Sequence, residues 1–432
     1  MITKDKSPQS DALEIEELTD GIETVDCSNI PESHYQFNKY SEYIQTTLQK
    51  KLFAQANIEI PYFRSLDGVA TSFVKFSGKE CINFASYNYL NLSGHPLVNE
   101  AAKNAIDQYG TSVAASRIVS GQIPLHKQLE TSLATMLDTE AALVFVSGHA
   151  TNVTTIGYLF GPNDLIIYDS LSHNSIVQGT LLSGAKRLHF PHNDYTYLEN
   201  ILSRNRLKYE RVLIVTESLF SMDGDIAPLK ELIRIKNKYK SFLMIDEAHS
   251  IGVLGEKGRG ISEFFNIAAS EVDIWMGTLS KTLAGCGGYI AGSQALIEQL
   301  KYYAPGFIFS VGLSPTLTAA SLKALEIMMA EPERVASLQQ NSQLFLQLCQ
   351  DKGLNTGDCA GFGIVPIIVG NSISVIKIAN ALYEKGIQAQ PIIYPAVTKS
   401  LARIRFFINC AHSDEQISYT VDTLSKIINT LS

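Results

Sequence analysis

Lys281 stands in the string Thr278-Leu279-Ser280-Lys281-Thr282, just after the apolar run 274–276. A lysine at the end of a buried strand loses solvation of its ammonium, so its pKa falls and its amine becomes a nucleophile able to form an imine. Asp246 closes another apolar run, 242–245, and is placed to hold a proton on a ring nitrogen. Thr278 offers a hydroxyl, and the amides around Gly148 offer a small anion nest. A buried amine, an acid and phosphate donors are together what pyridoxal phosphate requires of a protein. Other polar clusters also follow apolar runs: Ser147-Gly148-His149, residues 169–173, residues 217–225 and Asp246-Glu247-Ala248-His249. In an open α/β sheet the ligand lies outside the carboxyl ends of the strands, so these loops are expected to converge.

The elements that must position them are short and apolar. Runs at 142–146, 165–168, 212–215, 242–245, 274–276 and 289–291 are unbroken rather than alternating. That pattern marks strands covered on both faces, hence a mostly parallel sheet. Helical periodicity lies between them, as at 124–137 and 229–240. After Thr316 a long helical stretch leads to a strand near 363–369, a helix near 374–385, a strand near 403–409 and a final helix. The division expected is an acidic flexible tail over 1–33, an N-terminal helix and extension over 34–95, a large domain over 96–320 and a smaller α+β domain over 321–432. In the extension, Phe37, Tyr40, Ile44 and Leu48 recur at helical steps, with Tyr43, Leu52 and Phe53 near the same face. Such a face packs on the body or a second subunit, or docks a carrier protein or membrane.

The 432 residues are 45% hydrophobic and 18% charged, a globular composition that excludes disorder and coiled coil for the bulk of the chain. Most of the net charge of −8 belongs to residues 1–33, which hold nine acids against Lys4 and Lys6. The body is nearly neutral, which argues against a nucleic-acid partner. Six scattered cysteines form no CxxC pair and no metal spacing, and with a polar N-terminus and no long apolar run they lead us to expect a soluble cytoplasmic protein. The string Asp246-Glu247-Ala248-His249 also matches the Mg²⁺-holding strand of a helicase. That reading requires a phosphate loop of the form G-x-x-x-x-G-K-[ST], which the sequence lacks. The glycine-rich stretches 252–260 and 284–292 likewise miss the dinucleotide spacing.

Taken in order, the motifs resemble the α-oxoamine synthases, pyridoxal-phosphate enzymes of fold type I. The resemblance runs from about Phe84 to the C-terminus. It rests on Tyr87-Asn88-Tyr89-Leu90, Ser116-Arg117-Ile118-Val119-Ser120-Gly121, Ser147-Gly148-His149-Ala150-Thr151-Asn152 and Leu171-Ser172-His173-Asn174-Ser175. It continues through the string from Thr216 to Asp225, then Asp246-Glu247-Ala248-His249-Ser250, Thr278-Leu279-Ser280-Lys281 and Ala402-Arg403-Ile404-Arg405. The resemblance implies a large domain with a mostly parallel seven-stranded sheet and a smaller C-terminal domain. It implies Lys281 as Schiff-base lysine and base, Asp246 on the pyridine nitrogen, and His173 over the ring and near the substrate carboxylate. His249 and Ser221 would hold the ring hydroxyl region, and Thr278 with the Gly148 and His149 amides the phosphate. Arg405 would grip the substrate carboxylate, with Asn88 and His173 also on the substrate side. Ser310 would reach the phosphate of a neighbouring subunit, because family sites form at a dimer interface.

The implied reaction is a decarboxylative condensation of a small amino acid (Ser, Ala or Gly) with an acyl thioester of coenzyme A or of an acyl carrier protein. A 2-amino-3-ketobutyrate CoA ligase type and a catalytically silent partner subunit are the alternatives. Position 149 is His where many relatives carry Tyr or Phe, and Tyr87 stands where several carry Asn, a form more like serine palmitoyltransferases. His126, Glu217, Asp223 and Asp225 read also as caps or turn residues, the structural reading being preferred for His126. His95 before Pro96 reads as a turn residue, and Arg117 and Arg403 read as ion-pair partners or as ligands.

Overall fold

The computed structural model describes residues 26–76 and 78–431, so most of the acidic segment 1–33 lies outside the described residues. The described residues fall into two compact units that divide between Ile60 and Pro61. In the first, a 3-10 turn at Phe37–Lys39 precedes a helix at Ser41–Gln55 with no buried residue. Its Tyr43, Ile44, Leu48 and Leu52 are exposed, as are Phe37 and Tyr40 before it. The helix therefore begins four residues later than the apolar spacing suggests, after Tyr40 in an extended conformation.

The second unit is built on a seven-stranded sheet. Its spatial order is Ala141–Phe145, Gly288–Gly292, Ile274–Thr278, Phe242–Asp246, Val212–Glu217, Leu165–Asp169 and Lys186–Phe190. All neighbours are parallel except Gly288–Gly292, which runs antiparallel to both strands beside it. Successive side chains point to opposite faces, and both faces are buried. Val212, Ile214, Leu243, Ile245 and Trp275 join one core cluster, whereas Leu213, Val215, Met244, Ile274 and Met276 join the other. Each such side chain contributes roughly 1.5–3 kcal/mol, so the unbroken apolar runs in the sequence are the cause of the two-sided layer.

Helices flank these strands. Pro124–Leu137 starts with Pro, whose fixed φ suits the first turn, and ends at Asp138 in the left-handed region with φ 56°. His126 serves the N-terminal end of this helix, as expected: Nδ1 accepts from Ile123 N at 3.4 Å and Nε2 donates to Leu313 O at 2.7 Å. A smaller three-stranded antiparallel sheet follows in the order Ile364–Ile368, Arg403–Phe407, Gln390–Ile392. A four-stranded sheet joins Leu66–Asp67, Phe73–Phe76 and Lys79–Asn83 to Ile387–Gln388. Phe407 N donates to Phe84 O and Cys410 N to Tyr89 O, both at 2.8 Å, which ties the arginine strand to the segment holding Tyr87 and Tyr89. Among the described residues no helix is long and apolar enough to cross a membrane.

Candidate active site

Five strand ends of the large sheet and one strand of the small sheet open into a cavity of about 340 Å³. Gly148, His149, His173, Ser221, Asp246, His249, Thr278, Lys281 and Arg405 all line it. Two residues of the implied set do not. Asn88 is buried and its side chain is spent on backbone: Nδ2 donates to Ala70 O at 2.9 Å, and Oδ1 accepts from Leu92 N at 2.9 Å and Ser93 N at 3.0 Å. Ser310 is outside the lining, and its hydroxyl donates to Gly306 O at 2.7 Å.

Asp246 is 4% exposed. Its Oδ1 accepts from Ala248 N at 2.9 Å and its Oδ2 from Asn152 Nδ2 at 2.8 Å. Burial pushes the Lys281 amine down to about 8, against the opposing pull of Asp246 and Glu217 and with help from Arg405. The ammonium lies 5.6 Å from the Tyr87 ring centre. An amine in that range holds its lone pair available near neutrality, as proton transfer at carbon requires.

His173 caps the helix Asn174–Leu182, its Nδ1 accepting from Ser175 N at 3.3 Å and lying 2.7 Å from Ser175 Oγ. That leaves the proton of the neutral ring on Nε2. Burial lowers the pKa of this imidazole, the charges of Lys281 and His149 adding to the effect against Asp246. Burial likewise holds His249 well below its ordinary value, with Lys281 and Arg405 adding to it. Tyr89 Oη is 2.8 Å from His249 Nδ1, and since burial raises the phenol well above its usual pKa, the phenol donates.

Ser147 caps the helix Gly148–Leu159, and Gly148 and His149 at its start line the cavity. A Cβ at Gly148 would lie 2.9 Å from Thr278 Oγ1, so only glycine lets this helix end approach the threonine. Thr278 Oγ1 lies 2.7 Å from Ser280 Oγ and donates to Gly287 O at 3.1 Å. Helix amides, two hydroxyls and no carboxylate among them make a cradle for a phosphate. Arg405 Nη1 donates to Ser221 O at 2.8 Å, while its buried Nε has no partner. Asn152 Oδ1 is also buried without one. A buried acid, a low-pKa amine, an anion cradle and these two unmet polar atoms fit pyridoxal phosphate and a small carboxylate.

Sequence reading missed Asn152 and Ser175 as site residues, although Asn152 lies four residues after Gly148 on one helix face, a spacing that signals it. Glu217, read also as a cap or turn residue, lines the cavity and accepts from His173 N at 2.7 Å. Burial raises its carboxyl to about 8, the Asp246 charge adding to this. Arg117 pairs with Glu130 (Nη2–Oε2 3.0 Å) and Arg403 with Asp223 at 2.6 Å, so both are structural ion-pair partners.

Residues 79–424 match the aminotransferase class I and II family. The 8-amino-7-oxononanoate synthase of Bacillus pumilus is 39% identical over 363 residues, covering 84% of this chain and 92% of its own length. The serine palmitoyltransferase of Sphingomonas wittichii superposes with a TM-score of 0.86 at 28% identity, over 90% of this chain and 98% of its own. A serine palmitoyltransferase solved with pyridoxal phosphate gives the same TM-score and coverage at 26% identity.

Proposed function

Since the chain belongs to the α-oxoamine synthases of the aminotransferase class I and II family, and is thus a pyridoxal-phosphate-dependent acyltransferase, we propose that it joins a small L-amino acid to an acyl thioester. Glycine, L-alanine and L-serine are the candidate amino acids, and coenzyme A or an acyl carrier protein the candidate thiol. The observation that carries this reading is the convergence of Lys281, Asp246, His173 and Arg405 on one cavity.

When bound, the cofactor supplies an aldehyde that takes up the amine and a ring that draws electrons away from the substrate Cα. Asp246, oriented by Asn152 and Ala248 N, would hold the proton on the ring nitrogen. Thr278, Ser280 and the amides of Gly148 and His149 would hold the phosphate, and His173 would lie against the ring. Arg405 offers its remaining donors to the substrate carboxylate, where a planar fork fits two oxygens. Lys281 Nζ takes the proton from Cα. The Cα then bonds to the thioester carbonyl carbon, the C–S bond breaks with its electron pair going to sulfur, and the thiolate leaves. His173 Nε2–H is the donor for the carbonyl oxygen as its charge grows. The carboxylate departs as CO₂, and Lys281 returns a proton to the same carbon.

We further propose a homodimer with shared sites, for which Ser310, half-buried and outside the cavity of its own chain, is the supporting residue. Sequence relatives named for 8-amino-7-oxononanoate synthesis stand beside structural neighbours named for serine palmitoyl transfer, and Tyr87 supports the second. The deciding experiment records the visible spectrum of the purified protein with glycine, L-alanine and L-serine, then measures thiol release from acyl-CoA of graded chain length. A saturable spectral shift with one amino acid, followed by thiol release in its presence only, is expected. A protein that takes up no pyridoxal phosphate would sink the reading.

A further inference from the structure

His192 lies beyond the end of the strand Lys186–Phe190 and does not line the cavity. Its Nδ1 is 3.0 Å from Asp169 Oδ1 and its Nε2 is 2.7 Å from Asp225 Oδ2. Two carboxylates face the two ring nitrogens, so both nitrogens donate and the ring is an imidazolium. Burial alone would lower its pKa; the hydrogen bonds and charges of Asp169 and Asp225 outweigh this and hold it at about 10. Asn193 doubles both links, its N donating to Asp169 Oδ2 at 2.8 Å and its Nδ2 to Asp225 Oδ2 at 2.7 Å. The ring stands edge-on to Phe220 at 4.4 Å.

Each carboxylate belongs to a loop of the site. Asp169 ends its strand four residues before His173, and its Oδ1 also takes the Leu171 amide at 2.8 Å, bending the chain toward the histidine. Asp225 lies four residues after Ser221, and its carbonyl accepts from Phe220 N at 3.0 Å, closing that loop on itself. The same loop presents Ser221 O to Arg405 and Met222 O to Arg403 at 2.9 Å. One imidazolium thus joins the segment that carries His173 to the segment that anchors Arg405.

We propose that His192 is a positioning residue that fixes the distance between His173 and Arg405, and so sets how well the amino-acid carboxylate is held. This rests on the amino-acid-binding reading given above. A neutral residue at 192 leaves two buried carboxylates facing each other without a cation, which drives the loops apart. Small misplacements of binding groups are costly even when the mutated residue touches no substrate.

The test uses the full-length protein loaded with pyridoxal phosphate, and reads the spectral response to glycine, L-alanine and L-serine together with thermal unfolding. His192→Gln should retain the cofactor but saturate with the responding amino acid at about tenfold or higher concentration. His192→Arg, which keeps a cation and several donors, should lie closer to wild type. A wild-type response in His192→Gln would overturn the proposal, and so would His192→Arg as impaired as His192→Gln. Loss of thermal stability without a change in the amino-acid response would also overturn it, since that describes a mere structural clamp. If His192→Gln does not fold, Asp225→Asn is read by the same criteria. A wild-type protein that binds no amino acid defeats the functional reading itself, a result distinct from all of these.

Discussion

Asn152 Nδ2 donates to Asp246 Oδ2 at 2.8 Å and to Ser175 Oγ at 2.9 Å, and Ser175 Oγ lies 2.7 Å from His173 Nδ1. The acid and the imidazole of the site are therefore parts of one hydrogen-bonded chain, with a single side-chain amide at its centre. Asn152→Ala cuts that chain and leaves Asp246 with one amide donor. A hydrogen bond to a charged group is worth about 1.5–3 kcal/mol, so pyridoxal-phosphate affinity should fall roughly 10- to 100-fold. Spectral titration of the apoprotein measures this, and an unchanged affinity would show that Asn152 is only packing.

The low pKa of Lys281 has a kinetic signature. At about 8, the free amine is present well below the ordinary lysine range. The rate at which pyridoxal phosphate generates its imine band in the apoprotein should rise with pH to a midpoint near 8, and Lys281→Ala should give no such band. A midpoint near 10.5 would mean that the amine is solvated rather than buried.

Arg405→Lys keeps the positive charge but loses the planar fork. Because the carboxylate is held before and during the reaction, the loss is expected mainly in KM for the amino acid, by about tenfold or more, with kcat less affected. Steady-state kinetics at saturating acyl thioester separates the two. A fall in kcat at constant KM would move Arg405 from substrate holding to the chemical step.

Glu247, next in sequence to Asp246, is buried, its Oε1 accepting from Ile261 N at 3.0 Å. Burial raises its carboxyl to about 8, with the Asp246 charge adding to this against the hydrogen bonds from Ile261 and Ser218. The folded protein thus binds a proton that the unfolded chain releases at about 4.5. Stability from this group is complete below about 4.5 and is lost as pH rises to about 8, at about 1.4 kcal/mol per pH unit. Glu247→Gln removes that dependence. Its unfolding free energy relative to wild type should climb between pH 5 and 8 and then level off. A difference that stays flat over this range would mean that Glu247 is ionised in the fold.

Six of the seven large-sheet strands are legible as apolar runs because both of their faces are buried. The seventh, Lys186–Phe190, is not: it is an edge strand, and Lys186, Arg187 and His189 are exposed on it. The site is legible where one residue type has one chemical use, as for Lys281, Asp246 and Thr278. It is not legible where a residue works through another. Asn152 shares a helix face with Gly148, but its bond to Asp246, like those of His192 to Asp169 and Asp225, comes only from the packing of separate elements, whereas Ser175 meets His173 locally at one helix start. Glu217 and Glu247 illustrate the same limit, since a neighbouring carboxylate and the depth of burial set their charge.

The antiparallel strand has a consequence for how the lysine comes to its place. Thr278 and Gly288 face each other as a register pair, so the segment bearing Lys281 is a closed loop between adjacent strands. Asp246 and His173, by contrast, reach the site from strands joined by long crossovers. Closing a loop this short costs little chain entropy, and local pairings form sooner than distant ones. The reactive amine is thus set by a nearly self-contained hairpin, and the other strand ends must find their register around it.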